Sequence, residues 1–310
     1  TWEGGRAAPF INIGRMENKG VDLTLNFSEQ FGDDFQWSSS LVVSKYINEV
    51  SSIYNESEIQ RIVNFNDYTT GTVTNTVAGM PIGQFYGLET VGIIRTEEQL
   101  ANAPQTFFGT SPETSELGDI QYVDQNDDGF INDSDLTFIG NPNPDFTYGF
   151  TNNFNYKGIE LSVFVQGSQG NDLLNLTRRA GTLNTNLYQN QLAEAIDFYS
   201  ASNTNASLPR PVGSLSHPNL RVSDRYVEDG SYLRIQNVTL GYSIPTDVIS
   251  KYNLSKLRIY ASGQNLFTIT DYTGYDPEVG AFNQDVLLTG VDNGRYPTPR
   301  TITLGLNVEF

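Results

Sequence analysis

From Thr301 to Phe310 the chain alternates without a break: Ile302, Leu304, Leu306, Val308 and Phe310 are apolar, while Thr301, Thr303, Gly305, Asn307 and Glu309 are small or polar. A period of two is the period of a strand, so one face meets a greasy environment and the other a wet one. A soluble sandwich would alternate too. Length separates the two: about ten residues at a tilt of roughly 40° cross a bilayer's hydrocarbon, whereas soluble strands usually run about 5 to 6. The terminal stretch therefore reads as a membrane-crossing strand with an aromatic carboxy terminus.

The same pattern recurs upstream. Residues 1 to 16 are irregular and are expected as loop, after which Val21, Leu23, Leu25 and Phe27 alternate with Asp22, Thr24, Asn26 and Ser28. Gly32-Asp33-Asp34 leads into a strand from Phe35 to Val43, where Phe35 and Trp37 fit an interfacial aromatic girdle. Between 49 and 144 the alternation fades, which predicts one long excursion with local strands such as Gln84–Leu88. It returns from Phe146 to Tyr156, interrupted at Asn152 on the apolar side. Lys157-Gly158 then makes a tight reversal into Ile159–Gln166. A second long loop spans 168 to 229, with its one short helix expected over Gln191–Phe198. In Ser231–Tyr242 the phase slips by one residue, which predicts a bulge near Gln236 and Asn237. A turn opened by Pro245 precedes a strand over Leu257–Gln264, and 270 to 296 form a third loop.

Short connections near 30, 157 and 250 thus alternate with long ones. In transmembrane barrels short turns face the periplasm and long loops face outside, which gives about seven crossings and a periplasmic carboxy terminus. Single-chain bacterial barrels have even strand numbers, so an odd count implies further strands on the amino-terminal side. The inferred lumen residues, Thr, Asn, Ser, Gly and Gln, suit a wide, wet interior. The fold class is all-β: a transmembrane antiparallel β-barrel, of which this chain is the carboxy-terminal portion with long extracellular loops.

Composition agrees. Aromatics are 12% and hydrophobic residues only 38%, a mixture that suits strands and polar loops and disfavours a helical bundle. No run approaches the ~18 apolar residues of a membrane helix, so a spanning structure has to be a barrel. The absence of cysteine removes disulfides, thiolate metal sites and cysteine nucleophiles. A net charge of -18 argues against nucleic acid and fits loop solvation. No signal peptide is visible and the chain starts at Thr1, so it is expected to be a piece of a longer or processed protein.

Three stretches together resemble one family: Gly118-Asp-Ile-Gln-Tyr-Val-Asp124-Gln-Asn-Asp-Asp-Gly129 on to Pro144; Val227–Arg234 with Asn237–Tyr242; and Ser262–Phe267 with Gly274-Tyr-Asp-Pro-Glu278. Asn18–Leu23 and Tyr296–Thr301 extend the likeness, which is to the carboxy-terminal region of SusC-like TonB-dependent outer-membrane transporters. In addition, Thr303, Gly305, Val308 and Phe310 resemble the terminal signal by which outer-membrane barrels are recognised by the assembly machinery. The resemblance implies a barrel of about 22 strands, a SusD-like surface lipoprotein as lid, energy from TonB, and import of oligosaccharides or peptides. The family's plug domain and TonB box match nothing in this sequence.

Candidate sites follow. Asp124, Asn126 and Asp128 occupy alternate positions, Gly129 follows, and Asp135 stands at the twelfth position of a calcium loop, with the Phe130 carbonyl as a further ligand. The competing reading is an Asx-rich turn whose side chains cap their own backbone. His217 has no partner pattern and reads as a loop residue, and no catalytic constellation is evident, so an enzyme is not expected. Gln166, Arg258 and Gln264 are candidates for the solute path, and Tyr272 and Tyr275 for stacking on substrate. The acidic pair Asp276 and Glu278 could touch substrate or be solvated. The alternative function is a secreted, calcium-stabilised β-rich adhesin or glycan-binding module, which would bury its apolar strand faces.

Overall fold

Seven strands pair in chain order into one antiparallel sheet: β1 (Gly14–Phe31), β2 (Phe35–Ile53), β3 (Phe146–Tyr156), β4 (Ile159–Gln169), β5 (Tyr232–Ser243), β6 (Lys256–Thr270) and β7 (Thr301–Glu309). They are seen in a computed structural model that describes residues 14–54, 57–65, 68–183, 190–213 and 217–310. The expected loop over 1 to 16 falls mostly outside the described residues, and β1 already begins at Gly14. Strands of this length follow from unbroken runs of alternating Val, Leu, Phe, Thr and Ser, which fit a pleated surface with two different solvents.

The register places like with like. One lateral row runs from Leu304 through Ala261, Leu240, Leu161 and Phe154 to Trp37. No second sheet covers this face among the described residues: Leu304 is 80% exposed, Ile302 73% and Val21 72%. An apolar face this open across a whole sheet is what lipid contact requires, and it excludes the sandwich of the adhesin reading. At the turn end the rings gather, with Phe27 and Trp37 at 4.8 Å and Trp37 stacked on Phe154 at 6.1 Å. The interruption at Asn152 has a local cause: its Oδ1 accepts the Trp37 indole N–H at 3.1 Å, so the two polar groups satisfy each other on the greasy face.

Three turns close one end. Lys157 (φ 49°) and Gly158 (φ 84°) form the two-residue reversal, both in the left-handed region a hairpin of this kind needs. The turn opened by Pro245 is longer than expected, holding a helical turn, Thr246–Ile249, and a 3₁₀ turn, Ser250–Tyr252. The bulge lies at Gln236, which is skipped in the pairing of β5 with both neighbours.

The other end carries the three long connections, and these are a folded cap. Glu58–Phe65, Tyr68–Val77, Gln84–Gly87 and Thr137–Gly140 form a four-stranded sheet. Its core joins Val63, Val73 and Phe85 from the first connection, Leu174, Leu176, Val222 and Tyr226 from the second, and Leu288 and Val291 from the third. The projecting top of β2 is paired with this cap, Val50 N donating to Met80 O at 2.9 Å and Gly79 N to Val50 O at 2.8 Å. The helix expected over Gln191–Phe198 is only a 3₁₀ turn, Ala193–Ile196. Asp197 accepts from Asn203 and Ser207, which pulls the chain out of the helix. Helices form instead at Glu97–Asn102 and Leu176–Thr182.

The two faces of β7 should answer oppositely to charge. Leu304→Arg is expected to cost about 2 to 4 kcal/mol and Asn307→Arg less than about 1 kcal/mol, read by denaturant titration of the full-length protein in bilayers.

Candidate functional site

The lumen-facing row of β5 includes Arg234, a charge that needs partners because it is only 3% exposed. The third connection supplies them. One guanidinium nitrogen meets Asp276 Oδ1 at 2.6 Å and another meets Glu278 Oε2 at 2.5 Å, while Nε donates to Thr268 Oγ1 at 2.9 Å. Glu278 Oε1 also accepts from Gln166 Nε2 and the Tyr232 hydroxyl, each at 2.7 Å. Asp276 accepts the backbone N–H of Glu278 at 3.0 Å and of Thr298 at 2.9 Å. Burial pushes the Asp276 carboxyl up, but the hydrogen bonds from Thr298, the Glu278 amide and Arg234 outweigh it and hold its pKa at about 2. This cluster clasps the third connection to the inner wall across β4, β5 and β6. Arg234, Tyr232 and Thr268 were missed in the sequence. The signal for them was an arginine on a lumen-phase position two residues from a tyrosine.

The sequence candidates divide accordingly. Gln166 belongs to the clasp, and Asp276 and Glu278 are spent on Arg234. Arg258 lies nearer the turn end, donating to Glu160 Oε2 at 2.9 Å on a polar inner wall that includes Ser38, Asn153 and Ser162 and bounds a cavity of ≈ 260 Å³. Gln264 is exposed and pairs with Asn237 and Thr301. Tyr272 offers no ring face for stacking: it is 5% exposed, packs with Leu173 and Val279, and donates its hydroxyl to Asp292, burial pushing its phenol pKa upward. Tyr275, three residues on, is 67% exposed. In the terminal strand Thr303 and Gly305 face inward and Val308 outward; Phe310 is 94% exposed. A Cβ on Gly305 would lie 2.1 Å from the Tyr260 ring, so the glycine is where that ring crosses the sheet. His217 sits in a loop, its Nδ1 accepting from Asn219 N at 3.1 Å, and burial pushes its pKa down.

The acidic loop turns sharply at Asp127 (φ 57°) and Gly129 (φ 83°). Its side chains cap the backbone: Asp124 accepts from the amides of Asp128 and Gly129, Asn126 from Asp128 and Asp128 from Phe130. Asp135 is fully buried, each oxygen taking one amide, Gln125 N at 3.0 Å and Asn132 N at 2.7 Å. Among the described residues no three acidic or histidine side chains converge on a metal-sized space. As placed, these side chains cap the loop's own backbone, and each Asp135 oxygen keeps one lone pair beyond its amide.

A sheet with a greasy outer face, a polar inner face, turns at one end and a folded cap at the other defines part of the wall of a transmembrane β-barrel. No protein-family profile matches the chain. It is 34% identical over 99% of its length to TonB-dependent receptor P3 of Formosa agariphila, and 31% identical over 96% to TonB-dependent receptor P26 of the same bacterium. It is 26% identical over 96% to TonB-dependent receptor SusC of Bacteroides thetaiotaomicron. The chain spans 30% of the length of the two Formosa proteins and 27% of SusC. Two solved structures, of the RagAB peptide transporter and of the RagAB peptide importer in its closed-closed state, superpose with TM-scores of 0.72 and 0.71 at 22% and 23% identity. They match 96% of this chain against 29% and 30% of theirs and bear on fold alone. Over nearly all its length the chain is thus similar to TonB-dependent receptors, SusC among them.

Two outcomes follow from this geometry. Because the folded pKa of Asp276 is depressed, its contribution is present above the ordinary value of 3.8 and is lost as pH falls through about 2. Acid is therefore expected to remove about 2 kcal/mol from the clasp over that window. Arg234→Met, which strands both carboxylates, is expected to cost about 3 to 5 kcal/mol. Hydrogen exchange of residues 271–300 reads both. For the acidic loop, whose side chains are already taken up by its own backbone, millimolar calcium or a chelator is expected to leave the melting temperature of the full-length protein unchanged; a rise of several degrees with calcium would assign the loop a metal role.

Proposed function

We propose that this chain is the carboxy-terminal part of the barrel of an outer-membrane importer, of the SusC-like kind, that takes up oligosaccharides or peptides. Its cap faces outside and seats a SusD-like lipoprotein lid, and its turns and carboxy terminus face the periplasm. TonB energises it through the family's amino-terminal plug region, and Thr303, Gly305, Val308 and Phe310 serve the assembly machinery. The observation that carries this reading is the pairing of an open apolar face across seven consecutive strands with three long connections folded into one body at a single end. The clasp supports it, since Arg234 anchors cap to lumen wall at the place a solute has to pass. The relatives are TonB-dependent receptors, and the neighbouring structures are those of a peptide transporter and a peptide importer.

Orientation is testable because the sequence contains no cysteine. Ile196→Cys, in the cap, and Tyr252→Cys, at the turn end, both place the thiol on highly exposed positions of 81% and 73%. In intact cells carrying the full-length protein, a membrane-impermeant maleimide should label the first at once and the second only after the outer membrane is opened. Reversed labelling, or recovery of the protein in the soluble fraction, defeats the proposal. Loss of labelled oligosaccharide and peptide uptake on deleting the gene completes the test.

A further inference from the structure

The cations on the seven wall strands divide by face. Arg234, Lys256 and Arg258 stand in lumen phase, and each meets a carboxylate: Arg234 those of Asp276 and Glu278, Lys256 that of Glu309, Arg258 that of Glu160. Arg15, Lys19 and Lys45 stand in the opposite phase, with Val21, Leu23 and Leu25 on β1 and with Trp37, Leu41 and Val43 on β2. A lysine on the greasy face is costly within hydrocarbon and has to reach an interface.

Height along the strands says which interface. Phe27 and Trp37 belong to the rings at the turn end, and Lys19 and Lys45 each lie eight residues from them toward the cap, 27 to 19 on β1 and 37 to 45 on β2. At a rise of about 3.3 Å per residue and a tilt of roughly 40°, that climbs roughly 20 Å, and the apolar band of such walls is about 25 Å tall with aromatics at its rims. Both lysines therefore reach the far rim. Their stems lie along apolar surface and their ammonium groups emerge among headgroups on the cap side.

Register sets the two side by side. Lys19 is opposite Ile47 and Lys45 opposite Val21, which makes them diagonal neighbours about 7 to 8 Å apart. Lys45 is exposed and has no carboxylate partner among the described residues, while Lys19 has the exposed Glu17 at 3.1 Å, a pair that solvent weakens. Glu17 faces Glu49 two residues farther from the hydrocarbon, so the carboxylates stand outside the lysines and not between them and the lipid.

We infer that Lys19 and Lys45 form a site for the phosphate of a lipid headgroup in the cap-side leaflet. The inference rests on the membrane reading of the wall and gives that wall a specific lipid. Two ammonium groups this close repel each other until an anion lies between them, and a phosphate brings acceptor oxygens for both. A zwitterionic headgroup carries its own cation and fits less well. A soluble anion would leave Val21, Leu23 and Val43 below the lysines without the acyl chains that a lipid supplies.

The test is native mass spectrometry of the full-length protein in detergent with EDTA present, after incubation with diphosphoryl lipid A or with phosphatidylcholine. The protein should retain lipid A in preference to phosphatidylcholine, and equimolar inorganic phosphate should not displace it. Lys19→Gln/Lys45→Gln should lower the affinity about tenfold, as expected for two cations lost at a phosphate surface. Lys251→Gln/Lys256→Gln, at the turn end, should leave it unchanged, and melting curves of all variants should coincide. The site is overturned if no lipid A is retained, if phosphatidylcholine is retained equally, or if the Lys19/Lys45 variant binds as before. Equal loss in the turn-end variant, or displacement by inorganic phosphate, defeats it too. Retention that appears only when EDTA is replaced by magnesium would assign the lipid to a metal bridge through Glu17 and Glu49 and remove the lysine site. Cysteine labelling of the same protein reports separately on the membrane reading, so loss of lipid A binding with correct labelling removes this site alone.

Discussion

Hydrocarbon offers no hydrogen bonds, so every peptide group that crosses it must be paired within the protein. Here that demand is met strand to strand, through six pairings of seven strands, and it shapes all else. A wall only one sheet thick, wet on one side and greasy on the other, cannot enclose a core. The buried apolar residues have accordingly moved out of the membrane and into the cap, where Phe85, Leu174, Leu176 and Leu288 meet from three separate connections. The chain holds together by two different means: lipid and main-chain pairing in the wall, and apolar burial in water in the cap.

Such a division needs a joint, and the joint is charged. Arg234 is planted in the wall and held by two carboxylates from the third connection, with Gln166, Tyr232 and Thr268 filling the remaining positions. Every polar group in it has a partner, which is the condition under which a buried ion pair fixes geometry instead of merely costing desolvation. Similar but smaller knots tie the cap internally: Asp119 takes Arg210 and Asn219, and Asp224 takes Thr90.

Legibility in the sequence followed the period of two. The strand count, the Lys157-Gly158 reversal and the slip near Gln236 could all be read, because a strand between two solvents must alternate and any departure shows. Asn152 looked like an error in that pattern until its Trp37 partner, 115 positions away, was seen. The cap was opaque for the same reason: short strands and single helical turns packed by contacts between distant segments leave no period. Tyr272 and Tyr275 are chemically alike and three residues apart, yet one is buried and the other open, a difference set by tertiary packing that no local rule supplies. Asp276 and Glu278 likewise looked solvated because their arginine lies more than forty positions upstream.

The extra residue at Gln236 has a consequence for the joint. Below it, Val238, Leu240 and Tyr242 look outward; above it, Leu233 and Ile235 do. Continued without interruption, the lower phase would aim Arg234 at hydrocarbon instead of at Asp276. One inserted amino acid therefore chooses which solvent a guanidinium faces, and an evolving barrel can keep or lose the insertion and the arginine only together.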